Sequence, residues 1–218
     1  MFKYSILTLL ILFMTGCVTP MTLEEQTPEL DYANNEKILI SIIDERKRVK
    51  EGKPKNYIGK AHGSFGIPVD WHVKQILATE DGDEERDLAG WLQHRIVRGL
   101  NEEGWQSEEI DFDSLPNAGE TATKLEERNS TWLLAMVLNE WYFSINLNWV
   151  TAFNFDSDVN VHLFNIEGGE VLSKNFKERD VIDEKAGESP QNNVLNAYKA
   201  QIQQILNDDE IRGHIEKG

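Results

Sequence analysis

Apolar positions along the chain recur with two different periods, and the periods mark the elements. Lys37 to Ile43 is a short run rich in β-branched residues, which predicts a buried strand closed by the charges of Asp44 to Arg48. Leu88, Trp91, Leu92, Ile96, Gly99 and Leu100 fall at helical spacing after Asp87, with Glu84, Glu85 and Asp87 at the positive end and Gly104 as the stop. Trp105 to Ile110 reads as a short strand, and Asn117 to Arg128 as a short helix. From Trp132 to Val150 the chain is longest in apolar residues. Its second half alternates strictly, with Trp141, Phe143, Ile145, Leu147 and Trp149 on one face and Tyr142, Ser144, Asn146 and Asn148 on the other. Val159, Val161 and Leu163 alternate likewise. Glu167-Gly168-Gly169-Glu170 then reads as a hairpin turn into a strand from Val171 to Arg179. Ser189 as N-cap and Pro190 at the first position open a terminal helix with the stripe Val194, Tyr198, Ile202 and Ile205, and Asp208-Asp209-Glu210 opens a last turn reaching Ile215.

These elements predict an α/β domain in which helices cover one face of a mixed, mostly antiparallel sheet. Residues 49–82 read as a long loop punctuated by glycine and proline, with extended pieces near Tyr57-Ile58 and from Val73 to Ala78.

The N-terminus fixes an expected location. Lys3 is a short positive region, and Tyr4 to Met14 is an apolar stretch too short to cross about 30 Å of hydrocarbon. Met14-Thr15-Gly16-Cys17 places small residues before a cysteine, the pattern of a bacterial lipobox in which Met14 stands where Leu is more usual. Residues 1–16 are thus expected to be a lipoprotein signal peptide, cleaved after Gly16. Cys17 is expected to be lipidated, and several acyl chains make a stable anchor where one is marginal. Val18, not being Asp, implies the outer membrane by analogy with enteric bacteria, with the chain facing the periplasm. Residues 17–36 carry Pro20, Pro28 and several acids without periodicity, which predicts a flexible tether. The domain would then span 37–218.

Composition narrows the function classes. With 22 Lys plus Arg against 38 Asp plus Glu in 218 residues, the net charge is -16, which argues against nucleic acid and against electrostatic docking on anionic lipid. Cys17 is the only cysteine, so no disulfide framework or cysteine zinc site can form.

Candidate chemistry is sparse. His62, His72, His94, His162 and His214 are scattered without metal-ligand spacing. Asp81-Gly82-Asp83-Glu84-Glu85 puts its glycine too early for a calcium loop and is read as charge at a helix N-terminus. His62-Gly63-Ser64-Phe65-Gly66 lacks the first glycine of a nucleophile elbow, and Pro68 follows too soon. Gly59, Gly63 and Gly66 lack the dinucleotide spacing. No catalytic residue, metal ligand or cofactor is therefore expected beyond the covalent lipid on Cys17. The candidate binding loop is Tyr57, Gly59, Gly63, Ser64, Phe65, Gly66 and Pro68. The polar strand face of Tyr142, Ser144, Asn146 and Asn148 is either a solvated face or a further surface able to accept a ligand or partner.

Tyr57-Ile58-Gly59 and Gly63-Ser64-Phe65-Gly66-Ile67-Pro68, following the Ile38–Ile43 strand and Asp44-Glu45-Arg46, resemble the YajG-type bacterial lipoproteins. The later order is similar too: a helix ending near Glu103-Gly104-Trp105, a long strand, a hairpin, and a helix ending in Asp-rich residues before Ile211. The acidic stretch from Val73 to Arg86 departs from that pattern. The resemblance implies an envelope lipoprotein with an α/β domain and supplies no reaction and no catalytic residue. The expected function is a non-enzymatic outer-membrane lipoprotein whose periplasmic domain binds an envelope partner. The alternatives are a lipoprotein that binds or hydrolyses a small molecule or glycan at residues 57–72, and a structural subunit of an envelope assembly.

Overall fold

The computed structural model describes residues 20–63, 66–146, 152–167, 169–183 and 189–216. In chain order the elements are α1 (Leu23–Gln26), β1 (Lys37–Asp44), α2 (Lys47–Lys50), β2 (Tyr57–His62), β3 (Pro68–His72), α3 (Val73–Ile76), α4 (Leu88–Glu102), β4 (Gln106–Glu109), α5 (Ala118–Arg128), β5 (Trp132–Asn146), β6 (Ala152–Phe164), β7 (Glu170–Asp183), α6 (Pro190–Leu206) and α7 (Asp209–Ile215).

Strand β5 is the axis of a seven-stranded sheet. Along one edge it pairs in parallel first with β1, from Ile38↔Trp132 to Asp44↔Leu138, and then with β2, from Gly59↔Phe143 to His62↔Asn146. Along the other edge it pairs antiparallel with β6 over its length. Outside these lie β4 on β1 (parallel), β3 on β2 (antiparallel) and β7 on β6 (antiparallel). The long ladders are antiparallel, as expected.

The alternation in β5 is reset once. The register with β6 shifts between Leu138 and Glu140, leaving Asn139 as the extra residue of a bulge. Trp132, Leu134, Met136 and Leu138 face the main core before it, and Trp141, Phe143 and Ile145 after it. Without the bulge, Glu140, Tyr142 and Ser144 would have turned inward, because one inserted residue exchanges the two faces of a strand.

Helices α4, α6 and α7 cover the core face. Tyr198 of α6 sits edge-on to Trp141 at 5.3 Å and Trp91 of α4 at 6.2 Å, and its ring lies 5.3 Å from Phe155. Asp87 caps α4 by accepting from the Gly90 amide, and Ser189 caps α6 by accepting from the Asn192 amide. Helix α5 lies on the opposite face, where Leu125 packs with Leu39, Leu133, Ala135 and Phe164. The second face is thus covered at the N-terminal end of β5 and left open above it.

Two expectations fail. Within 49–82 the extended piece expected near Tyr57-Ile58 is strand β2 of the β2–β3 hairpin, whereas Val73 to Ile76, expected as extended, is a helical turn that buries Val73 and Leu77. The stretch expected to be a flexible tether is also part of the fold from Pro20 onward. Thr22 and Glu25 form a capping box for α1, and Gln26 and Thr27 are buried. The strap then runs down the seam between α4 and α6. The Met21 amide donates to Asn192 Oδ1 (3.1 Å), the Asp31 amide to Asn207 Oδ1 (3.2 Å) and the Tyr32 hydroxyl to the Leu206 carbonyl (3.0 Å). Short amide side chains recurring along one helix face satisfy the backbone of a crossing segment, a pattern with no signal in apolar periodicity.

Candidate functional site

The described residues of the expected binding loop lie on the β2–β3 hairpin. Tyr57 is buried at 2% exposure with its ring 6.2 Å from Tyr142 and 5.9 Å from His72, and burial, with Tyr142 adding to it, pushes its phenol well above the ordinary range. Gly59 is where β2 meets β5: a Cβ there would stand 2.1 Å from the Phe143 carbonyl oxygen, so only glycine permits the pairing. The Gly63 amide donates to Ile67 O and the Gly66 amide to Gly63 O, and Gly66 holds φ at +72°. Pro68 starts the edge strand opposite His62, where its missing N–H costs nothing. Tyr57, Gly59, Gly63, Gly66 and Pro68 are therefore spread along the hairpin. Ser64 and Phe65 of that loop, and the lipidation candidate Cys17, lie outside the described residues, as do Leu147, Trp149 and Gly168.

A concave polar surface lies instead on the open face of β5, β6 and β7. Inward positions of β6 are Phe153, Phe155, Ser157, Val159, Val161 and Leu163, so Asn154, Asp156, Asp158 and Asn160 point outward. The register sets Asp156 opposite Arg179 and Asp158 opposite Lys177, and both pairs close as salt bridges. Asp158 also accepts from Asn175 Nδ2 (2.9 Å) and Asn139 Nδ2 (3.3 Å). Partial burial pushes the Asp158 carboxyl up, but the hydrogen bonds from Lys177, Asn175 and Asn139 outweigh it and hold the carboxyl below its ordinary range. Next to them Arg48, delivered by α2, pairs with Glu140 at 3.3 Å and lies 3.6 Å over the Tyr142 ring. Arg48, Glu140, Asp156, Asp158, Lys177 and Arg179 line a cavity of about 510 Å³.

The sequence placed Tyr142 and Ser144 on this face. It did not supply Asp156, Asp158, Lys177 and Arg179, because their juxtaposition depends on the β6–β7 register. The alternation of acids in β6 with bases in β7 was the available signal.

The face also holds Ser173, His162 and Glu170. Glu170 approaches His162 Nδ1 at 2.7 Å, and the Ser173 hydroxyl approaches the same nitrogen at 3.3 Å. A hydrolytic triad needs the acid on one ring nitrogen and the nucleophile on the other. The three residues are therefore a polar surface cluster in this geometry. What the open face offers is paired charge of both signs, one aromatic platform and a shallow concavity, which suits recognition of a charged surface.

A second charged cluster is structural. Arg95 and Asp83 are fully buried and paired at 2.6 Å, and Asp83 Oδ2 also accepts from the Thr79 and Glu80 amides. The acidic run at 81–85 thus contributes the buried partner of Arg95, where charge at a helix N-terminus was expected. Asp87 alone caps α4.

Among the described residues no helix is long and apolar enough to cross a membrane. No family model matches the chain, so the likeness to YajG-type lipoproteins rests on sequence pattern alone, and no curated protein matches it in sequence. Among solved structures, the chain is similar to a DUF330 protein from Xanthomonas campestris (11% identity, 88% of this chain and 94% of that one, TM-score 0.47). A PelC dodecamer from Paraburkholderia phytofirmans is similar at 11% identity, covering 88% and 96%, with a TM-score of 0.38. Lipoprotein GNA1162 from Neisseria meningitidis is similar at 11% identity, covering 79% and 99%, with a TM-score of 0.33.

Proposed function

We propose that this chain is an outer-membrane lipoprotein, anchored through acyl groups on Cys17, whose periplasmic domain binds another envelope component without catalysing a reaction or carrying a cofactor. The observation that carries this reading is the open sheet face. Helices close one side of the sheet, while the other presents Arg48, Glu140, Asp156, Asp158, Lys177 and Arg179 uncovered around Tyr142. The excess of acid over the whole chain favours a partner with a basic surface and a salt-sensitive association rate. Anchoring raises the local concentration of the domain near the membrane, so a modest contact suffices.

The test is photo-cross-linking in living cells from Tyr142 and Arg179, compared with Thr123 on α5. The reading expects one envelope protein captured from the open face in the anchored protein, and much less in Cys17→Ala. Glu140→Lys or Arg179→Glu should abolish the capture. Equal yields from Thr123 and Tyr142, or membrane retention of Cys17→Ala, would overturn it.

A further inference from the structure

Among the described residues, β3, β4 and β7 each pair with a single strand and leave one side free. A free side offers unpaired amides and carbonyls to any other strand. Two of the three are blunted. Strand β4 has four residues, and the Asn101 side chain takes both the amide of Ser107 (2.8 Å) and its carbonyl (3.2 Å). Strand β3 has five residues and opens with Pro68. Strand β7 instead runs for fourteen residues without proline or glycine. Among the described residues its outward amides and carbonyls meet no hydrogen-bond partner. Its cations do not guard the edge. Lys177 and Arg179 lean back over the sheet to Asp158 and Asp156, and Lys174 turns to Asp208 at the start of α7.

The order of charges along this edge selects what can pair with it. When two copies of one strand pair antiparallel about a two-fold axis, one residue stands opposite itself and its neighbours are exchanged across it. An axis at Lys174, Lys177, Glu178, Arg179 or Asp180 opposes that charge to its own copy, and an axis at Asn175 sets Glu170 against Asp180. An axis at Phe176 opposes no like charges. There Lys174 faces Glu178 on both sides of the axis, Asn175 faces Lys177, Ser173 faces Arg179 and Leu172 faces Asp180. Phe176 and Leu172 are half-buried at the margin of the core, and Phe176 would complete its cover against its own copy.

We infer that β7 pairs with β7 of a second copy of this chain about a two-fold axis at Phe176, which joins the two sheets edge to edge. Opposed residues keep their faces in such a pair, so the axis is normal to the sheet. Both helix layers, with their straps, then lie on one side of the dimer, and both open charged faces lie on the other. The dimer would thus offer two copies of the Arg48–Tyr142 face side by side. The net charge of -16 repels a second copy, but at physiological ionic strength this repulsion is screened beyond about 8 Å.

The test uses the full chain in the membranes of cells that express it. Residue 176 and its copy would have Cα atoms about 4.5–5.5 Å apart, within the range a disulfide spans. Residue 173 and its copy would be about 20 Å apart. Under mild oxidation Phe176→Cys should therefore give a disulfide-linked dimer, and Ser173→Cys should not. The wild-type chain, whose single cysteine is Cys17, controls for links through that residue. In detergent, sedimentation should show the wild-type chain as a dimer. Glu178→Lys should weaken it about tenfold, because it opposes two pairs of like charges. Equal cross-linking at 176 and 173, or none at 176, overturns the inference. So does a monomer in sedimentation, or a dimer that Glu178→Lys leaves unchanged. A link from position 176 to a different protein means that another chain occupies the edge, and also overturns it.

Discussion

Gly99 of α4 and Pro28 of the strap touch so closely that a Cβ on Gly99 would lie 2.7 Å from Pro28 Cδ and 2.9 Å from Pro28 O. The helix carries a glycine in its last turn so that the strap can enter the seam between α4 and α6. Glycine there sacrifices about 1 kcal/mol of helix propensity, which the buried strap recovers through Gln26, Thr27 and Tyr32.

Gly99→Ala should therefore lift the strap in spite of the better helix former. The overpacking cost is about 1–3 kcal/mol. Hydrogen exchange should accelerate at residues 23–32 while the sheet amides stay protected. Unchanged protection of the strap would mean that Pro28 does not depend on Gly99.

Gly59→Ala tests the join between β2 and β5. Its Cβ meets a backbone oxygen, which cannot swing aside as a side chain would. A loss of about 3 kcal/mol is expected, read from the denaturant midpoint. Gly63→Ala is the control: the nearest atom to its Cβ is Ile67 O at 3.9 Å, and its effect should stay within about 0.5 kcal/mol.

Asp83→Ala should be far worse than its surface-like sequence context implies. It strands the guanidinium of Arg95, which is fully buried, and removal of one member of a buried pair costs about 3–5 kcal/mol. Arg95 keeps Glu80 at 2.7 Å, which places the expected loss at the lower end. Asp83→Leu combined with Arg95→Met should recover most of the loss in a double-mutant cycle. Additive losses would show that the pair is not coupled.

Stability should fall at both extremes of pH. Asp158, Asp70 and Glu108 have carboxyls held below their ordinary range. Their contribution is present above the unfolded pKa of about 4 and is lost as pH falls through the folded values. Asp158→Asn should flatten part of that acid slope. Tyr32, Tyr57 and Tyr198 have phenols raised chiefly by burial. Their contribution is complete below about pH 10 and is lost as pH rises through the folded values. Tyrosinate absorbance from these three should appear only with unfolding. Gradual ionisation of all tyrosines near pH 10 in folded protein would contradict their burial.

Much of this was open to reading in the chain. Period-two alternation marked β5 and β6, and helical spacing marked α4 and α6, because each element has one dry face and that face writes itself into sequence. Asp87, Ser189 and Pro190 cap and open their helices as the local chemistry requires. The strap was hidden for the opposite reason. It is held by Asn192, Gln203 and Asn207, polar residues on a distant helix, so its own sequence is as polar as a linker. The hairpin residues Tyr57 to Pro68 looked like a ligand loop because glycine marks both turns and close approaches. Gly59 proves to be the latter, a fact set by Phe143 far along the chain.

The sequence by itself determined the long strands and helices, the α/β class, the acidic charge and the lipobox-like Met14–Cys17, since all of these depend on residues near one another in the chain. Tertiary structure alone decided which strand edges met, that Asn139 resets the faces of β5, and that Asp156 and Asp158 stand opposite Arg179 and Lys177. Such relations depend on register and on contacts between distant segments, and no local pattern encodes a partner that lies a hundred residues away.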